Sequence, residues 1–240
     1  RSYRSESVRL VDDMPVTQFG LTLALGRPAD RPLSVWDDMF IPMRLRDAIR
    51  LVRVPRGDGS VPLVAEERVL FESTTHVERG SEPALWIPYL IIGLLLAAEF
   101  LSVGIVSSRA RVVDVMFRVE VAIWGLLIGT LGVILLLAWI STQHVFWFRN
   151  ENMLLVNPLS LLLGAAALLS VWKPRFARGA STAAIVIAAL GVVALALKVI
   201  PGSPQESVAV ILLLPSQIAM AVGLWRRSQS PQLMAQGPQA

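Results

Sequence analysis

The chain contains no cysteine. Structural disulfides, thiolate metal sites and a cysteine nucleophile are therefore excluded within its 240 residues. Histidine is nearly as scarce, with only His76 and His144 present. Without thiolates, and even with Glu72 and Glu78 near the first, they match no strong metal-ligand spacing, so no metal or other cofactor is expected. Charge is thin as well. Charged residues make up 17%, against about a quarter in an ordinary soluble domain. They concentrate in residues 1–83 and leave 84–225 nearly bare. The net charge of +4 is thus no sign of a nucleic-acid surface, and no basic–aromatic patch accompanies it. A phosphate-binding glycine loop and a Ser-His-Asp constellation are also missing, since Gly57-Asp58-Gly59 is turn chemistry. The chain opens at Arg1 with no basic, apolar export signal after it. For a protein with an exported part, the expectation is a piece of a longer polypeptide.

Apolar length is what the sequence has in abundance. Hydrophobic residues reach 54%. They gather in five runs: Ala84–Val106, Val121–Ser141, Met153–Trp172, Ala180–Ile200 and Ser207–Trp225. Each is about 20 residues long, the length that crosses a bilayer core as a helix. None shows the polar face of a water-soluble helix. Six of the seven tryptophans (Trp86, Trp124, Trp139, Trp147, Trp172 and Trp225) fall at or near a run end, where an indole sits at headgroup level.

Basic residues set the expected orientation. Arg109, Arg111 and Arg118 follow the first run, Lys173, Arg175 and Arg178 the third, and Arg226 and Arg227 the fifth. The alternate connections hold Arg149 and Lys198. Positive loops stay on the cytoplasmic side, so 1–83 is expected outside and the carboxyl terminus inside. The tail 228–240 is polar and is expected to be disordered.

Residues 1–83 read as a small α+β segment. Val16–Leu25 looks strand-like, ending at Gly26, and Pro28–Pro32 is a turn. Ser34 is placed to cap a short helix through Trp36–Phe40, with Asp37 in its first turn. An amphipathic helix is predicted over Met43–Leu51, followed by a hairpin of Leu51–Pro55 and Pro62–Phe71 around Gly57-Asp58. Ser73–Pro83 is a polar linker. The opening residues look like the end of a larger domain.

Two groups of residues resemble a known family. They are Gly20–Gly26, Pro28–Pro32, Met39–Pro42 and Leu45–Ala48, then His144, Asn150-Glu151-Asn152 and Asn157-Pro158-Leu159. The first group is similar to the end of the Lnb-type N-terminal periplasmic domain, and the second to the outer loop of the five-helix module that follows it. The resemblance covers nearly the whole chain. It implies a bacterial envelope protein of the inner membrane. The family's namesake moves an acyl chain onto the N-terminal amine of a lipoprotein, and its soluble domain is thought to use a cysteine–histidine pair in a papain-like fold. That cysteine would have to lie outside this chain.

The expected fold is an all-α five-helix transmembrane bundle, 84–227, preceded by the α+β end of a periplasmic domain. The expected function is membrane anchoring of a thiol-hydrolase-like or acyltransferase-like domain, with lipid or lipoprotein as substrate. Whether the chain takes part in catalysis is left open. A small transporter or channel component, or a non-enzymatic scaffold, are the alternatives. His144 is the candidate general base. Asn150, Asn152 and Asn157 are candidates for binding a lipid headgroup or ester carbonyl, or for capping helix three and managing a proline kink. Glu99 is the acid read inside a span, with Ser216 and Gln217 beside Pro215 as expected partners. Gly125 and Gly129 form a small-residue face for packing within the bundle or for homo-oligomer contact, as do Ala184, Ala188 and Gly191 for packing.

Overall fold

The computed structural model describes residues 1–72, 80–81, 83–105, 111–200 and 205–229. His76, Glu78, most of the linker, Val106 and the tail from 230 lie outside the described residues. The amino-terminal segment holds α1 (Tyr3–Arg9), α2 (Pro15–Ala24), α3 (Val35–Asp38), α4 (Pro42–Leu51), β1 (Arg53–Arg56) and β2 (Gly59–Pro62). The spanning helices are α5 (Trp86–Ile105), α6 (Arg111–Ser141), α7 (Leu159–Leu169), α8 (Phe176–Val199) and α9 (Ala209–Ser228). Five segments are long and apolar enough to cross a membrane, as the sequence indicates.

Neighbours around the bundle run α5–α9–α8–α7–α6, and α5 touches α6 little. The end where α5, α7 and α9 begin is called the upper end. Side chains of all five helices meet in the middle, where Phe100, Phe117, Leu163, Ala184, Ile187 and Met220 are buried. Gly125 and Gly129 lie against Ser160, Leu161 and Gly164 of the same chain, which fills the face that a second copy would need. Ala184 and Ala188 are buried too, and Gly191 faces Gln217 and Leu214.

Several boundaries differ from the sequence reading. Val16–Leu25 is a helix, α2, opened by Pro15 at its first position. Its apparent alternation was overruled by partners distant in sequence, described below. The second span starts at Arg111, ten residues before Val121. Its first turns are held by an i,i+4 pair, Arg118 Nε to Asp114 at 2.7 Å. The third span keeps only 11 regular helical residues, about 16 Å of rise. Pro158 restricts Asn157 to extended backbone and offers no N–H, so the helix starts there. The stretch above it is completed by a 3-10 turn, Glu151–Leu154, and buried irregular backbone. Non-helical backbone at this depth needs internal partners. Gln217 Nε2 supplies one, donating to the Leu155 carbonyl at 2.7 Å.

The smaller elements follow their local chemistry. Ser34 caps α3, as predicted, Asp37 returns a bond that makes the cap reciprocal, and the helix ends at Asp38 rather than at Phe40. The hairpin is shorter than read and begins its return at Gly59, because Gly57, at φ 60°, makes a two-residue turn with Asp58.

At the lower end, buried Arg118 also donates to Ser170 at 2.5 Å. Arg227 donates to Asp114 at 2.8 Å and to the Val103 carbonyl at 2.6 Å. Its guanidinium lies 4.9 Å from the Phe117 ring centroid. These two arginines, read from sequence as topology signals, also tie α5, α6, α7 and α9 together.

Candidate functional site

The carboxyl end of α2 poses a definite chemical problem. The last four carbonyls of a helix have no partner inside it. Leu25 leaves in an extended conformation, so the one bond it returns is to Leu21. Thr22, Leu23, Ala24 and Leu25 therefore need donors from elsewhere.

They receive them from both sides. Arg4 of α1 donates to Thr22 at 3.0 Å and to Leu25 at 2.6 Å. Asn152 donates to Thr22 at 2.8 Å and to Leu23 at 3.0 Å. Asn150 donates to Leu23 at 2.6 Å and to Ala24 at 3.0 Å. The two asparagines come from the α6–α7 connection, so a loop of the bundle caps a helix of the preceding segment. This corrects the reading of Asn152 as the cap of helix three. Asn150 instead caps the 3-10 turn, accepting from the Asn152 N–H at 3.0 Å.

A second loop closes the cage. Gln205, before α9, donates to Asn150 Oδ1 at 3.1 Å and accepts from the Glu151 N–H at 2.7 Å. Lys198 binds Glu151 at 2.9 Å and the Gln205 carbonyl at 2.7 Å. Arg27 reaches Glu151 from the amino-terminal side at 3.3 Å. Arg4 pairs with Asp30 at 2.6 Å, with both side chains almost wholly buried. Burial pushes the Asp30 carboxyl above the usual aspartate range, against the opposing pull of Arg4.

Gly26 makes the approach fit. Its N–H donates to the Phe146 carbonyl at 2.7 Å, and a Cβ there would collide with the Phe148 carbonyl. On the facing strand of chain, Arg149 adopts φ 51°, a left-handed conformation costly for a side chain with Cβ. Arg149→Gly should therefore tighten the fold by about 1 kcal/mol in a thermal-unfolding comparison. A loss of stability would show that the guanidinium, 5.3 Å from the Phe148 ring centroid, matters more than the backbone.

The remaining candidates are dispersed. Asn157 is buried and donates to Leu154 at 3.3 Å, below the cage. His144 is exposed, with its ring stacked on Trp147 at 4.8 Å. Ser216 and Gln217 are buried and engaged by Leu213 and Leu155, so they do not partner Glu99 as expected. Glu99 instead shares a cleft of about 230 Å³ between α5 and α6 with Glu120, Phe100 and Trp124. Glu120 was missed because the expected helix began at Val121, just past it, whereas α6 begins at Arg111. The Asp114–Arg118 spacing was the signal for the longer helix. Gln205 carried no such signal. Glu72 closes a described stretch, and its sequence neighbours His76 and Glu78 lie outside the described residues.

Fold and join together define a five-span integral membrane protein with a preceding segment seated on one end of its bundle. The family model for the Lnb transmembrane domain matches residues 80–231, and the chain belongs to that family. No curated protein and no solved structure matches the chain.

Proposed function

We propose that this chain is a docking anchor. Its bundle holds a thiol-hydrolase-like or acyltransferase-like domain in a fixed pose at the outer face of a bacterial inner membrane. The observation that carries the reading is the shared cap on α2. Arg4 would serve Thr22 and Leu25 even on a flexible tether, but Leu23 and Ala24 would be left to water, whereas here Asn150 and Asn152 of a bundle loop satisfy them. A fixed pose sets the distance from an active site to lipid or lipoprotein substrates, which raises effective concentration more than a loose linker does. The arginine-rich connections at the lower end support placing residues 1–83 outside. Asn150 and Asn152 then act as positioning residues, with Asn157 beneath them in the third crossing.

Thiol cross-linking tests this in a chain free of other cysteines. Arg27→Cys with Glu151→Cys, treated with a short bifunctional thiol reagent in native membranes, should cross-link in high yield. Adding Asn150→Ala and Asn152→Ala should lower the docked fraction about tenfold or more, since buried carbonyls lose their donors. The five spans should stay inserted. Absence of cross-linking before those changes would remove the docking reading. His144 is exposed at the start of the 3-10 turn Val145–Trp147. A catalytic share for it requires that His144→Ala abolish turnover of the whole protein while the cross-link persists; unchanged turnover rejects that role.

A further inference from the structure

One apolar surface at the upper end is covered by nothing in the described chain. In α3, Val35 is 80% exposed and Trp36 79%. The reciprocal Ser34–Asp37 cap fixes this short helix, so the exposure does not come from a frayed end. Two ring contacts set its level against the bilayer. Helix α6 ends at Ser141, and the 3-10 turn Val145–Trp147 follows within a few residues; the apolar run Val121–Ser141 is about one hydrocarbon thickness long, which puts that turn at the edge of the lipid. Phe146 of that turn stacks on Tyr3 with ring centroids 4.0 Å apart. Tyr3 in turn meets Phe40, just past α3, at 4.7 Å. Residues 34–40 therefore ride at the height of the turn, where Val145 and Phe148 are themselves exposed.

Charge in the segment that follows α3 bears on a lipid surface. Residues 42–62 carry Arg44, Arg46, Arg50, Arg53 and Arg56 against Asp47 and Asp58. Carboxylates already neighbour three of them, with Asp38 3.7 Å from Arg44, Asp47 2.8 Å from Arg46, and Asp47 and Glu67 both on Arg50, yet Arg46 and Arg50 keep 43% of their side chains exposed and open to phosphate. The helical spacing of α4 sets Leu45 and Ile49 on one side, with Arg46 and Arg50 beside them. Tryptophan at headgroup depth and arginine at phosphate depth are the marks of a helix lying in the interface plane.

We propose that α3 and α4 form an in-plane anchor on the upper leaflet. Val35 and Trp36 enter the lipid beside Val145 and Phe148, and the arginines of α4 meet anionic phosphates. The occupant of this face is the bilayer surface, continuous with the one that surrounds the spans. The proposal rests on the docked join, because Tyr3 and Phe146 set the height.

Spin labels placed singly at Val35→Cys and Trp36→Cys test it in the otherwise cysteine-free chain. The vesicles are phosphatidylcholine, with or without phosphatidylglycerol. Power saturation compares oxygen, which concentrates in lipid, with a water-soluble nickel chelate. Asp58→Cys and Ile92→Cys give the water and lipid references. Labels at 35 and 36 should resemble 92, with high oxygen and low nickel accessibility, and phosphatidylglycerol should strengthen the difference. Nickel accessibility like that of 58 overturns the anchor. Protection from both reagents also overturns it, since that is the signature of a covering protein surface. Insensitivity to phosphatidylglycerol removes the arginine–phosphate part. The Arg27–Glu151 cross-link, run in the same vesicles, separates the two claims. With it formed, water-exposed labels sink the anchor and leave the join standing; without it, both fall.

Discussion

Valine at Gly132 should destabilise the bundle by about 3 kcal/mol or prevent its assembly. A Cβ at this position would collide with the Asn157 carbonyl carbon and lie 2.7 Å from the Asn157 Cα and the Pro158 nitrogen. These are backbone atoms, so no rotamer change makes room. The local backbone cannot give way easily either. Pro158 fixes its own φ, and Leu155, Val156 and Asn157 are buried in the irregular part of the third crossing. The strain would fall where the structure already relies on Gln217 to satisfy the Leu155 carbonyl. Detergent-solubilised variants can be compared by thermal unfolding. Gly20→Ala and Gly179→Ala are the controls, since both sit in helices with nothing within 4 Å of the added carbon. They should be neutral, or more stable by about 0.5–1 kcal/mol. Equal behaviour of all three would mean that α6 and the Asn157-Pro158 turn are not in close contact.

Arg4→Met should undock the amino-terminal segment at a cost of about 3–5 kcal/mol. Two losses combine. Thr22 and Leu25 each lose a donor, and Asp30 keeps a buried charge without its counter-ion. The Arg27–Glu151 cross-link reads the docked fraction directly. Acidity gives a second signature. Burial raises the Asp30 carboxyl above its ordinary value in the folded chain. An acid raised on folding binds its proton more tightly in the docked state, so its titration favours docking at low pH. That contribution fades as pH climbs from the ordinary aspartate value through the raised one. Without the guanidinium the carboxyl rises further, so the variant should regain docking on acidification and lose it on return to neutral pH. A variant that docks as well as the parent at neutral pH would show that Asn150, Asn152 and Gln205 suffice.

What the sequence disclosed and what it hid divide along one physical line. Lipid-facing helices announce themselves, because a bilayer demands length and apolarity from each run separately. All five were legible for that reason, as was the cap by Ser34, whose bond reaches only three residues along the chain. The nature of α2 was not. Its Leu21-Thr22-Leu23-Ala24-Leu25 stretch alternates like a strand, and two of the donors that finish it as a helix, Asn150 and Asn152, stand more than 120 residues away. Asn150 and Asn152 were visible as a polar cluster, with a lipid headgroup and a helix cap as rival uses. Only the folded arrangement shows which helix they serve. Gln205 went unnoticed because a single amide beside a turn has no periodicity to mark it.

The cap on α2 also orders events during synthesis. Leu25 and the amide of Gln205 that approaches it are 180 residues apart. At common elongation rates the second is made about 10–40 s after the first. The carbonyls of Leu23 and Ala24 wait for Asn150 and Asn152, and the cage closes only when Gln205 follows. The earliest part of the described chain is thus among the last to mature.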